Sequence, residues 1–233
     1  MAGMQEWVSL PTEWIEDGGL KKVRWKKHGS DGTAALMLLV AIAHYAEQDE
    51  GESEGQARVT YDVLADATGL SRTKIAGGLG VLIGRKIIIQ GDRSIYTLRN
   101  FSRTAGGWGK LPAKGLYRGP AIAAFHEFNL RSARELNALK LYLLIVSRRD
   151  RKTNFAHMTY DQIEEYAGIE RDNIRSAVSL LAGLGLVHVE HFKSDVNAYG
   201  IANAYRLAHI DPYRHMGTTG RKIAAGAFFG SEE

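Results

Sequence analysis

Residues 59–88 read VTYDVLADATGLSRTKIAGGLGVLIGRKII, and residues 158–187 read MTYDQIEEYAGIERDNIRSAVSLLAGLGLV. The two stretches align without a gap at an offset of 99, with eight identities: Thr60/Thr159, Tyr61/Tyr160, Asp62/Asp161, Gly69/Gly168, Arg72/Arg171, Ile75/Ile174, Leu82/Leu181 and Gly84/Gly183. Apolar positions between them agree in kind, as in Leu64/Ile163, Leu79/Val178 and Ile88/Val187. Upstream, Trp7-Val8-Ser9-Leu10-Pro11 is echoed by Trp108-Gly109-Lys110-Leu111-Pro112 at an offset of 101. Two echoes in the same order indicate a duplicated unit of about 100 residues.

Each copy has readable punctuation. Thr60 stands where a helix N-cap belongs, since its hydroxyl can accept an orphan amide proton. A helix over 61–68 follows, and Gly69 ends it because glycine takes the left-handed conformation without strain. Ser71 caps a second helix over 72–83, with Ile75, Leu79 and Leu82 on one face. The period then changes. Lys86–Gln90 and Ser94–Leu98 alternate as strands around a Gly91-Asp92 turn. Upstream, 33–46 reads as an apolar helix, and Glu47–Gln56 as a polar loop.

The second copy predicts helices over 132–147, 160–167 and 171–182. A strand over 186–192 follows, and Ala204–Leu207 is its expected partner, across a long polar wing tip. A junction is expected near 101–112. The organisation expected is an N-terminal domain over 1–105, a C-terminal domain over 106–210 and a flexible tail over 211–233. The phenylalanines Phe228 and Phe229 could let that tail dock. The fold class expected is α+β, a duplicated winged helix-turn-helix with a small β-hairpin wing in each copy.

Composition narrows the function. The 233 residues carry no cysteine, which removes disulfides and thiolate metal sites and suits a reducing, cytoplasmic compartment. The longest apolar run, 34–43, is too short to span a membrane. Net charge is +4, and it is uneven. Residues 58–99 hold seven Lys or Arg against three Asp, residues 100–152 eleven against three acids, and residues 157–193 three against six. The two copies therefore share a fold pattern but not a surface charge.

The pattern Thr-Tyr-Asp, then Gly-(Leu/Ile)-x-Arg, an apolar helix and Leu-x-Gly resembles the winged-helix units of bacterial transcription regulators and of plasmid or phage replication initiators. The Trp-x-x-Leu-Pro element is similar to the short strand that opens such domains in proteins of mobile elements. The resemblance spans residues 6–100 and 107–208. It implies that 72–83 lies in a DNA major groove, with Ser71, Arg72, Thr73 and Lys74 at the entering end and Arg93 at the wing tip.

Residue chemistry is read alongside that resemblance. Arg72, Thr73 and Lys74 point away from the apolar stripe, and arginine can grip guanine through two hydrogen bonds. Arg85 and Lys86 flank the wing and suit phosphate neutralisation. Arg171, Asn173, Arg175 and Ser179 form the outer face of the second copy, beside Glu170 and Asp172, so DNA and a protein partner both remain open there. Gly77-Gly78 costs about 2 kcal/mol of helix propensity relative to alanine. Close approach to DNA, close approach to the other domain, or a neutral surface would each account for it. Lys21–Lys27 is either a tracker of nucleic-acid backbone or a solvated strand edge. Arg148, Arg149, Arg151 and Lys152 either complement a helix dipole or form a phosphate patch.

The function expected is sequence-specific binding of double-stranded DNA, as a transcription regulator of a bacterium or mobile element. A replication initiator on repeated origin sites and a protein-docking scaffold are the alternatives. A homodimer is left open, and neither cofactor nor membrane is expected. No catalytic constellation is visible: His188 and His191 fall on opposite faces of a strand, and His126-Glu127 lacks a second histidine.

Overall fold

The computed structural model describes residues 4–49, 51–193 and 201–210. The chain is mixed α+β with small antiparallel sheets. Its first half runs β1 (Trp7–Pro11), α1 (Glu13–Glu16), a 3-10 turn at Leu20–Lys22, α2 (Trp25–Tyr45), β2 (Gln56–Arg58), α3 (Tyr61–Thr68), α4 (Arg72–Gly84), β3 (Ile88–Gln90) and β4 (Ile95–Leu98). The second half opens with β5 (Trp108–Pro112), a 3-10 turn at Lys114–Leu116, β6 (Tyr117–Arg118), β7 (Ala121–Ile122) and a 3-10 segment at Ala123–Glu127. It continues with α5 (Ala133–Arg148), β8 (Phe155–His157), α6 (Tyr160–Ala167), α7 (Arg171–Gly183), β9 (Val187–Lys193) and β10 (Ile201–Leu207). The order helix, strand, helix, helix, two strands thus occurs twice, and each set of three strands forms one sheet, β2-β4-β3 and β8-β10-β9.

Six helices stand close to where the sequence places them; α2 departs most, starting at Trp25 rather than residue 33. Gly29 inside it is non-helical at φ 54°, a value glycine adopts without strain, so a charged first turn is joined to the apolar body. From Gly32 to His44 every residue of α2 is buried, which is why its hydrophobicity shows no one-sided stripe. The helix is the centre of the molecule, touched by α3, α4, α5, β1 and β2.

Three sequence expectations are corrected. The loop expected over Glu47–Gln56 ends in β2, whose Ala57 pairs with Tyr96, so the expected hairpin is part of a three-stranded sheet. Lys21–Lys27 is not a strand edge but a 3-10 turn and the first turn of α2. Gly77-Gly78 lies on the contact with α2 rather than on a bare outer face. A Cβ on Gly77 would meet the Asp31 carboxylate at 2.7 Å, and one on Gly78 would lie 2.9 Å from the Ala35 backbone nitrogen. The expected tail lies outside the described residues, as do residues 194–200 of the wing tip expected over 193–203, while Lys193 ends β9 and 201–203 open β10.

The leading segments of the two halves cross over. β1 pairs antiparallel with β5, with Ser9 opposite Lys110, so the two echoed tryptophan motifs bind each other across one ladder. Trp7 and Trp108 stack with ring centroids 6.0 Å apart. α1 then packs on α5 and α6, and β7 packs on α3. Glu16 pairs with Arg148 at 2.6 Å. Equivalent turns receive equivalent cover: Gly69 lies against His126, and Gly168 against Lys21. Val8, Leu10, Ile15, Leu20 and Leu111 of these segments are buried, each contributing roughly 1.5–3 kcal/mol.

Candidate nucleic-acid interface

Six of the eight identities build the same corner twice. Thr60 and Thr159 cap α3 and α6 by accepting the amide protons of Val63 and Gln162. The second cap is reciprocal, because Gln162 also accepts from the Thr159 backbone. Gly69 and Gly168 end those helices in the left-handed conformation, at φ 72° and 60°. Ile75 and Ile174, and Leu82 and Leu181, fix the next helix to the core. Arg72 pairs with Asp62 at 2.6 Å, and Arg171 with Asp161 in the same way. The repeated arginine therefore braces the corner between two helices, although both partners stay in solvent, where such a pair contributes little.

The residues expected at the entering end of α4 are divided by the structure. Ser71 spends its hydroxyl on the cap, accepting from the Lys74 amide at 3.4 Å. Thr73 is exposed. Lys74 is turned back onto α2, where Nζ pairs with Asp31 at 2.8 Å and donates to Ser30 at 2.7 Å. Beyond Thr73, the outward positions of α4 are Ala76, Gly80 and Gly84, so this helix offers a nearly bare surface.

The corresponding helix of the second half is armed. Asn173, Arg175 and Ser179 are all exposed on α7, and Asn173 donates to Glu170 at 3.4 Å. Arg175 and Ser179 border a groove of about 580 Å³ with Tyr160, Val178 and Val189, floored by the β10 residue Tyr205. Burial raises the proton affinity of the Tyr205 phenolate, so the floor is neutral. Position for position, Ala76 and Gly80 of α4 stand where α7 has Arg175 and Ser179.

The cations around the β3–β4 hairpin form a separate group. Arg93 is exposed in the β3–β4 turn. Arg85 and Lys86 leave the end of α4 and line a cleft of about 380 Å³ with Lys22 and Arg99. The sequence reading missed the cleft because Lys22 and Arg99 come from distant segments. A usable signal existed in the alignment, where Lys86 faces Gly185.

Three cations of the second basic run are engaged by the protein's own groups. Arg148 reaches Glu16 and lies 4.0 Å from the Tyr166 ring centroid, Arg149 is buried, and Arg151 lies 4.7 Å from the Trp108 ring centroid. Only Lys152 of the four presents its charge outward without such a contact. Among the described residues, no group of His, Asp or Glu side chains could hold a metal ion. No helix there is long and apolar enough to cross a membrane. No family model, curated protein or solved structure matches the chain.

Proposed function

We propose that the chain binds double-stranded DNA in a sequence-specific manner through two winged helix-turn-helix units, residues 1–105 and 106–210. The observation that carries this reading is the corner built twice: a capped helix, a left-handed glycine, an outward third helix and an antiparallel hairpin. α7 supplies base-reading chemistry. Arg175 suits the two acceptors of guanine and Asn173 the adenine edge. α4, bare at Ala76 and Gly80, suits close backbone approach, with Arg72, Thr73 and Arg93 toward phosphates.

The packing supports a defined spacing. α4 lies on α2, α2 on α5, and α5 on α7. Three steps of about 8–10 Å put the two third helices at most about 30 Å apart, comparable to the roughly 34 Å between successive major grooves. One chain could then read two half-sites without a partner copy.

Transcription regulation is the role this reading favours, with initiation at repeated origin sites as the variant that the paired helices also suit. Selection from random duplexes, followed by footprinting on the gene's own surroundings, separates promoter from origin repeats. If the full chain shows no salt-dependent affinity for any duplex, the DNA reading fails and a protein-docking role replaces it.

A further inference from the structure

The two halves differ most sharply in one place, the end of the third helix. In the first half Arg85, Lys86 and Arg99 stand where the second half has Leu184, Gly185 and Ala208. The equivalence is fixed by matching backbone bonds: Arg99 donates to the Ile87 carbonyl as Ala208 does to that of Leu186, and Lys86 donates to Ile83 as Gly185 does to Ala182. The second half thus serves as an internal reference for what this corner needs in order to fold. It needs no cation.

The first half adds three, and Lys22 from the crossed-over N-terminal segment adds a fourth across a half-open cleft of about 380 Å³. Glu13 and Asp17 are the carboxylates on its wall, leaving the cations in excess. Glu13 is occupied in accepting from the Asn100 amide at 2.7 Å. One guanidinium nitrogen of Arg85, Nη2, is buried with no hydrogen-bond partner, a charged donor lacking an acceptor. Lys86 is held at φ 55°, a backbone conformation that the second half gives to Gly185 at φ 67°. A lysine placed where glycine is the unstrained choice points to a use for its charge. The field reaches the neighbouring His28, whose proton affinity is lowered by burial first and then by Lys27 and Arg85.

We propose that this cleft is a phosphate-binding site, framed by Lys22, Arg85, Lys86 and Arg99. The shared chemistry is a phosphate group; its source is either a free phosphorylated small molecule or the DNA backbone, and in the second case the site rests on the DNA-binding reading. Its volume exceeds one phosphate, and Trp14 stands on the wall.

The test is calorimetric titration of the full chain with inorganic pyrophosphate, and separately with a short random-sequence duplex at low salt. Both are repeated on the double variant Arg85→Leu/Lys86→Gly, which copies the second half and relieves the lysine backbone, and on Lys22→Ala from the opposite wall. Pyrophosphate binding weakened at least about tenfold in both variants, the loss expected when cationic partners leave a phosphate, with duplex affinity unchanged, assigns a free ligand. Duplex affinity weakened in the same variants assigns the DNA backbone. If neither titration responds to the variants, the site is overturned. If the natural chain binds no duplex while pyrophosphate binding still depends on Arg85 and Lys86, the site stands and the DNA reading alone fails.

Discussion

Gly78 of α4 passes Ala35 of α2 with no room for a side chain between them: a Cβ on Gly78 would lie 2.9 Å from the Ala35 nitrogen and 2.7 Å from Leu38 Cδ1. Two turns of helix meet almost backbone to backbone there, which explains the glycine pair that intrinsic propensity disfavours. Gly78→Ala should destabilise the protein by about 1–3 kcal/mol in urea denaturation, overpacking outweighing the gain in propensity. Gly80, with no atom within 4 Å of its would-be Cβ, is the control. Gly80→Ala should stabilise by about 0.5–1 kcal/mol. Equal effects at the two positions would remove the close-approach explanation.

Lys140 is a second buried misfit. Its side chain, 2% exposed, has the Gly168 carbonyl at 3.3 Å as its hydrogen-bond acceptor. Burial, helped by the charge of Arg24, pushes its pKa down to about 8. Because the folded value is depressed, the stabilising difference is complete only above the unfolded value near 10.5 and is lost as pH falls through 8. At neutral pH the full burial cost applies. Lys140→Met should therefore raise stability at pH 7 by about 1–3 kcal/mol, while the natural chain should gain stability between pH 8 and 10. A Lys140→Met variant less stable than the natural chain would mean that the bond to Gly168 outweighs burial.

Much of this fold was legible because its signals are local. Thr60, Gly69 and Ser71 mark helix ends by chemistry that reaches no further than four residues, so α3, α4, α6 and α7 fall within a residue of expectation. What escaped depends on distant partners. β2 and β8 are three residues long, too short for alternation to show, and the buried Ala57 sits between Ala46 and Tyr96 of β4, partners distant in sequence. The turn of Lys74 toward Asp31, 43 residues away, leaves no trace in the sequence of the helix that carries it. The crossing of β1 onto β5 was visible as two similar motifs but not as a pair that binds each other.

For the DNA-binding reading, α7 should carry more sequence discrimination than α4. Arg175→Ala should reduce affinity for a selected target by about 1–3 kcal/mol and relax its preference at one base pair. Arg93→Ala should weaken binding evenly across sequences and lower the salt slope by about one counterion. Competition assays with selected and scrambled duplexes report both. An Asn173→Ala/Arg175→Ala chain that folds and keeps its full preference would remove α7 from the reading role.

His44 ties α2 to the second half and makes that tie sensitive to acid. Its Nε2 lies 2.9 Å from the Pro112 carbonyl and its Nδ1 3.0 Å from the Tyr117 hydroxyl, so the neutral ring donates to Pro112 and accepts from Tyr117. Burial pushes its pKa down to about 4. With the folded value below the unfolded 6.5, this contribution is complete above pH 6.5 and is lost progressively as pH falls to 4, about 3 kcal/mol in all. His44→Gln should lower stability at pH 7 and flatten the profile between pH 6.5 and 4. An unchanged slope in that variant would place the acid sensitivity elsewhere.

The exchange of leading segments makes a last prediction about cutting the chain. A break after residue 105 leaves β1 without β5 and α1 without α5 and α6. Val8, Leu10, Ile15 and Leu20, all buried in the intact chain, then lose the cover that the second half supplies, while β1 keeps its contact with α2. With full exposure costing roughly 1.5–3 kcal/mol per side chain, partial loss of that cover together with the α2–α5 packing removes much of the stability of a domain of this size. Residues 1–105 and 106–210 should therefore be poorly folded when made separately, and should recover sharp amide dispersion in nuclear magnetic resonance spectra when mixed. Independent folding of both fragments, with no association, would show that the crossed ladder is dispensable.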